Sequence, residues 1–152
     1  MVECYRQARE GRFALDDLLR VENAFRSIMD GSAYALTPAD DSHEALYDRL
    51  GEQRPIRELL WVMITDSSNL ATNLLIEMLG PKAVTRTMHR LGADGIRVRR
   101  GVEDPKAFRQ NLNNTTTARA LLTLCEHIAR GTAVSDAAAE EMVHILKAQA
   151  HT

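Results

Sequence analysis

The reading of this chain turns on Met63-Ile64-Thr65-Asp66-Ser67-Ser68-Asn69-Leu70-Ala71-Thr72-Asn73. Before it, Ile56, Leu59, Leu60, Met63 and Ile64 recur at i, i+3, i+4, i+7 and i+8, the spacing of an amphipathic helix. Pro55 suits the first turn of that helix, where a missing N–H costs nothing. Leu70, Leu74, Leu75, Met78 and Leu79 then repeat the pattern as far as Gly80. Polar residues 65–69 between two strongly apolar helices predict a break and a fresh helix start. Ser67 and Asn69, two apart in that break, put a hydroxyl and a carboxamide at a junction stiffened by buried helices, which suits substrate positioning and proton relay. Ser and Asn also lead the N-cap preference, so Ser67, Ser68 and Asn69 read equally as caps of the second helix.

Toward the N-terminus, helical spacing covers residues 2–10 and stops at Gly11. Asp16-Asp17 opens a non-helical stretch through Leu18, Leu19 and Val21. Asp30-Gly31, between the β-tolerant runs 25–28 and 33–36, predicts a small hairpin ribbon. Residues 41–50 read as a short helix, with Asp41 as N-cap, Glu44 completing a capping box and Gly51 ending it. Toward the C-terminus, residues 81–91 form a helix with Val84, Met88 and Leu91 on one face. Periodicity then disappears from 93 to 114, a length that in compact domains marks a functional or Ω-type loop. Asn114 or Thr115 caps the next helix, which carries Ala118, Leu121, Leu122, Cys125 and Ile128 and ends at Gly131. Ser135 caps the last, with Ala138, Met142, Ile145 and Leu146.

The 152 residues are 45% hydrophobic, 26% charged and 5% aromatic, with a net charge of -2, the composition of one ordinary globular domain spanning residues 1–152. Such a chain buries roughly 68–70% of its unfolded surface, enough for a core without staples. No apolar run reaches membrane-spanning length, and the N-terminus lacks the order of a signal peptide, so the expectation is a soluble chain with no membrane partner. The near-neutral charge argues against a nucleic-acid partner. Cys4 and Cys125 are too few for a disulfide framework and are expected to be buried thiols. His43, His89, His127, His144 and His151 show no ligand spacing, so no metal is assigned, and nothing implies a cofactor. Arg97, Arg99 and Arg100 could hold a phosphate, though one short basic run is ordinarily solvated or locally paired surface. The apolar pattern begins abruptly at Val2 and persists almost to Ala150, as if cut from something larger.

The central stretch resembles the segment around the S-D-N motif of class A β-lactamases and the wider penicillin-recognising serine hydrolases. Residues 55–62 are similar to the helix leading into that motif and residues 71–80 to the central helix after it. Asn113-Asn114-Thr115-Thr116-Thr117-Ala118 is similar to the Thr-rich start of the helix after the Ω loop, and residues 11–17 to the turn after the nucleophile helix. The resemblance implies a mainly α fold: the helical subdomain of the β-lactamase-like fold, with a small β-ribbon and an Ω-type loop and without the terminal β-sheet strands. It implies that Ser67 relays a proton to the leaving nitrogen and that the Asn69 carboxamide binds the substrate's acylamide. Ser68 takes the place of the motif's aspartate, a scaffold residue that holds the turn. A class A Ω loop carries E-P-x-L-N, whose glutamate orients the deacylating water. Glu103 is the glutamate available here, followed by Asp104 rather than proline. Its other reading is a solvated acid facing Arg99 or Arg100. Asn114 stands where the family has aspartate, so the usual arginine to aspartate pin of the loop cannot form.

In this family the nucleophile and its lysine lie in S-x-x-K at the start of the helix whose later turns resemble residues 2–10, just before Met1. The K-T-G strand follows the last helix. Neither motif occurs within residues 1–152. The expectation is therefore a partial catalytic domain, inert alone, whose intact relative hydrolyses a β-lactam or related amide or ester. The implied partners are a β-lactam-like small molecule in that relative, and a complementing chain or second copy on the uncovered apolar face. Intact relatives are often exported, while the location of this chain stays open. The alternative is a non-enzymatic helical interaction module.

Overall fold

The computed structural model describes residues 1–149; Ala150 and His151, named above, lie outside them. The buried helix α3 (Asn69–Leu79) sits at the centre of the molecule. Its Leu70, Ala71, Leu74, Leu75 and Leu79 all lie in the core. Around it pack α1 (Val2–Arg9), α2 (Ile56–Thr65) and α4 (Pro81–Arg90). α7 (Asp136–Lys147) packs on α2, and α6 (Ala118–Ala129) on α7. Leu59, Leu60 and Leu70 are completely enclosed, and burying each contributes on the order of 2–3 kcal/mol. The helix starts follow their caps: Ser68, Thr117 and Ser135 accept hydrogen bonds from the backbone N–H of Ala71, Ala120 and Ala138.

Two antiparallel ribbons complete the regular structure. β2 (Phe25–Arg26) pairs with β3 (Ala33–Tyr34) across the predicted Asp30-Gly31 turn, where Gly31 takes a φ of 72°. The Phe25 and Tyr34 rings face each other at 5.7 Å between centroids. β1 (Leu18–Arg20) pairs with β4 (Gln53–Pro55), directly ahead of α2. The architecture is thus mainly helical, with a small ribbon and an irregular loop, in agreement with the sequence. Among the described residues no helix is long and apolar enough to cross a membrane.

Five expectations need correction. Residues 41–50 are not an α-helix: the chain makes two 3-10 segments, Pro38–Asp40 and Glu44–Arg49, and the second is preceded by His43 without a side-chain cap. Asp41 forms no capping box because its carboxylate is buried and bonded elsewhere. The helix after the loop is capped by Thr117, not by Asn114 or Thr115. Cys125 is exposed, and only Cys4 is buried. α6 inserts only Ala120 and Ile128 fully into the core, leaving Leu121 and Leu122 50% and 61% exposed on the face read as core. Finally, the aperiodic 93–114 region contains a short helix, α5 (Pro105–Arg109), started by the Asp104 side chain.

Candidate active site

The α2–α3 junction presents the predicted serine and asparagine. α2 closes at Thr65, whose hydroxyl donates to the Trp61 carbonyl, and the N–H groups of Asp66 and Ser68 both return to the Val62 carbonyl. That fold-back forces Ser67 to a φ of 58°, a left-handed conformation that a non-glycine residue adopts only under surrounding constraint. Ser67 is exposed at the tip, Ser68 is wholly buried beneath it, and Asn69 opens α3. Of the three residues open to either reading, only Ser68 is the cap. Ser67 is left free of capping, and Asn69 uses one N–H on the Asp40 carbonyl at 3.0 Å, keeping its other N–H and its carbonyl oxygen.

Asp41 is the residue that sequence reasoning misplaced. Its carboxylate lies under the junction and accepts from the Leu70 N–H at 2.8 Å, the Tyr47 hydroxyl at 3.0 Å and the His43 N–H at 2.9 Å. The Ser68 hydroxyl lies 3.5 Å from the same carboxylate. A carboxylate from twenty-seven residues earlier in the chain thus underlies the middle of the turn. His43 Nδ1 also meets Asp66 at 2.7 Å, tying the 3-10 segment to the end of α2.

The long loop is held against the same helix. Asn73, one turn along α3 from Asn69 and 1% exposed, accepts from the Val102 N–H at 2.6 Å and donates to the Val102 carbonyl at 3.0 Å. Gly101 runs so close to that carboxamide that any side chain there would collide with it. Asn114 closes the base of the loop: its oxygen accepts from the N–H groups of Arg99 and Arg100, and its amide donates to the Arg100 carbonyl. The buried Arg100 guanidinium donates to the Leu112 and Gly101 carbonyls and to Asn113. An amide and a carbonyl-bound arginine therefore replace the arginine to aspartate pin. Asp104, 1% exposed, joins the loop to the β2–β3 ribbon through Ser27 and the Ile28 N–H, while capping α5. Burial pushes the Asp104 carboxyl up, but these hydrogen bonds outweigh it and the net shift is below the ordinary value.

The two elements meet at a cavity of about 200 Å³. Asn69 from α3 and Glu103 from the loop both line it, with Asp40, Tyr34 and Tyr47 around them. Glu103 takes a φ of 55°, which turns the chain at the cavity rim. It makes no ion pair with Arg99 or Arg100 among the described residues. Burial, together with the nearby Asp104 charge, raises the Tyr34 hydroxyl to about 12. Burial and the hydrogen bond to Asp41 push Tyr47 up as well. Both phenols stay protonated donors at neutral pH. Ser67 is not among the lining residues, so the structure brings together Asn69 and Glu103 but leaves Ser67 on the neighbouring tip. Among the described residues no three His, Cys, Asp or Glu side chains form a metal cluster.

The whole chain, residues 1–152, matches the model of a family described as the beta-lactamase enzyme family. Its fold is similar to a beta-lactamase from Sphaerobacter thermophilus DSM 20745, with a TM-score of 0.77 at 21% identity, over 99% of this chain and 52% of that one. It is similar to PBP-A, with a TM-score of 0.74 at 22% identity, over 99% of this chain and 51% of that one. A mutant of the last common ancestor of Gram-negative bacteria class A beta-lactamase gives 0.75 at 26% identity, over 97% and 52%. The chain spans about half the length of these solved structures. No curated protein matches it.

Proposed function

Because the chain belongs to the beta-lactamase enzyme family, we propose that it forms the helical half of a serine acyl-transfer site. The observation that carries this reading is that Asn69 and Glu103, far apart in sequence, line one cavity beside the strained Ser67 turn. In the proposed mechanism the complementary half contributes the nucleophilic serine and lysine of S-x-x-K and the K-T-G wall. The serine attacks the carbonyl of a β-lactam or related amide or ester. Ser67 passes a proton to the departing nitrogen, and the free N–H of Asn69 holds the substrate's acylamide. Glu103 orients the water that hydrolyses the acyl-enzyme. Alone, the chain offers a relay hydroxyl and a binding amide but no activated nucleophile, so it is inert by itself.

The exposed Leu121 and Leu122 of α6, with Trp61 of α2, favour a docking partner as part of this reading. We assign that role to the half carrying S-x-x-K and K-T-G. The competing reading, a non-enzymatic interaction module, uses the same apolar side chains but leaves Ser67 and Asn69 idle.

The test is a kinetic split in the chain joined to segments carrying S-x-x-K and K-T-G, with nitrocefin as substrate. Ser67→Ala lowers acylation at least about tenfold, the scale of a lost proton relay. Glu103→Gln leaves acylation intact and makes the acyl-enzyme accumulate. Full hydrolytic rate in Ser67→Ala removes the relay assignment, and unchanged deacylation in Glu103→Gln removes the water-orienting one.

A further inference from the structure

A second, unassigned concavity shares no lining residue with the candidate active site. It measures about 540 Å³, within the range of small-molecule sites. Four cations surround it: Lys82 and Arg86, one turn apart on α4, and Arg97 and Arg99, two apart on the extended start of the loop. No acid lines it, in a chain whose 21 acids outnumber its 19 bases. None of the four cations belongs to an ion pair among the described residues. By contrast Arg100, the next residue along, is buried and bonded within the loop through all three of its guanidinium nitrogens.

These cations stand on a stiff frame. The Thr85 hydroxyl of α4 donates to the Val98 carbonyl and accepts from the Val98 N–H, both at 2.9 Å, so the two cation-bearing elements are clamped together at their middle. Arg97 is bridged to Thr115 through both backbone bonds. The third wall is Ile28, whose N–H is held by the buried Asp104 at 3.0 Å. Ile28 and Val98 give the groove an apolar wall between its charged sides. Four like charges gathered around one hollow repel each other and attract a multivalent anion, and the forked guanidinium matches phosphate oxygens in pairs.

We infer that this groove is a binding site for a soluble small molecule carrying two or more phosphate charges. The site is independent of the acyl-transfer reading, because it uses none of the same side chains.

Calorimetric titration of the full chain with tripolyphosphate tests it. The expected result is saturable one-to-one binding with a Kd below about 1 mM at low salt, weakening as salt screens it. Lys82→Gln/Arg86→Gln and Arg97→Gln/Arg99→Gln each weaken binding about tenfold or more. Arg119→Gln/Arg130→Gln, which removes the same net charge from α6 and its end, stays within about twofold. Ile28→Glu abolishes binding while thermal unfolding stays that of the parent chain. Binding that fails to saturate, or that falls equally in the α6 control, overturns the inference. A parallel arm uses phosphatidylglycerol and phosphatidylcholine vesicles. Equal, negligible partition onto both is expected, whereas capture by phosphatidylglycerol without tripolyphosphate binding assigns the charge to a lipid surface and overturns the soluble ligand.

Discussion

Asp41 shows how much one buried carboxylate determines. It accepts from the Leu70 N–H in the first turn of α3, a tyrosine hydroxyl and a loop N–H, and lies beneath the buried Ser68. Removing it strands those donors, each costing about 1–3 kcal/mol when buried and unpaired. Asp41→Ala is expected to destabilise the chain by about 2–4 kcal/mol in urea unfolding. The swap Asp41→Ser with Ser68→Asp, which moves the carboxylate back into the turn, is expected to recover at least half of that loss. No recovery would show that a carboxylate at position 68 cannot take over the bonds that Asp41 makes. Sequence reading missed this role because the local pattern Asp41 to Glu44 satisfies a capping box, while the partner that wins, the Leu70 N–H, is a long-range one.

Two other buried carboxylates set the acid limit. Burial raises the Glu3 carboxyl, but hydrogen bonds from Arg6, Thr87 and Gln7 outweigh it and leave it below its ordinary value, as they do for Asp104. A carboxyl lowered on folding adds stability that is complete above its unfolded value, about 4 for these groups, and is lost as pH falls through the folded one. The melting temperature is therefore expected to be level from neutral pH down to about 5 and to drop below about 4. Glu3→Gln should lower the neutral-pH value and flatten the acid slope; an unchanged slope counts against Glu3 as a source.

At the scale of elements, the helices that the sequence made plain are those whose apolar period is satisfied inside this chain. α2 and α3 bury Ile56, Leu59, Leu60, Leu70, Leu74, Leu75 and Leu79 as their spacing assigned, while Met63, Ile64 and Met78 are only partly buried against the core. α6 has the same quality of pattern, yet two of its leucines and Cys125 are exposed, because amphipathic spacing reports that a face is apolar and not what covers it. A thiol reagent is accordingly expected to modify Cys125 quickly. Cys4, enclosed and raised to about 11 by burial, should react only on unfolding. β1–β4 escaped notice because Gln53 and Arg54 are polar and the pairing is non-local.

The Asn69 and Ser67 positions were legible in the sequence because the polar break between apolar helices marks them. The loop's anchors were not, since Asn73 lies within a helical pattern and carries no mark of its contact with Val102. Asn73→Leu, near in volume but unable to bond, is expected to raise amide exchange across residues 97–105 while leaving α2 and α7 protected. Equal loosening everywhere would show instead that Asn73 supports the whole core.

For the whole molecule, the chain spans about half of the structures it resembles, and its cavity gathers Asn69 and Glu103. Two separate hollows beside the loop carry different chemistry: the cavity lined by Asn69 and Glu103, and the cationic groove beside α4. Both depend on the same internal fastening of the loop by Asn73, Thr85, Asp104 and Asn114. The central claim, that this is the helical half of a serine acyl-transfer site, is tested most directly by intact-mass spectrometry after exposure to penicillin. The chain joined to segments carrying S-x-x-K and K-T-G is predicted to gain one penicilloyl mass, on the serine of S-x-x-K, while residues 1–152 alone gain none. An adduct on the isolated chain, or none on the joined one with its fold intact, would contradict the account.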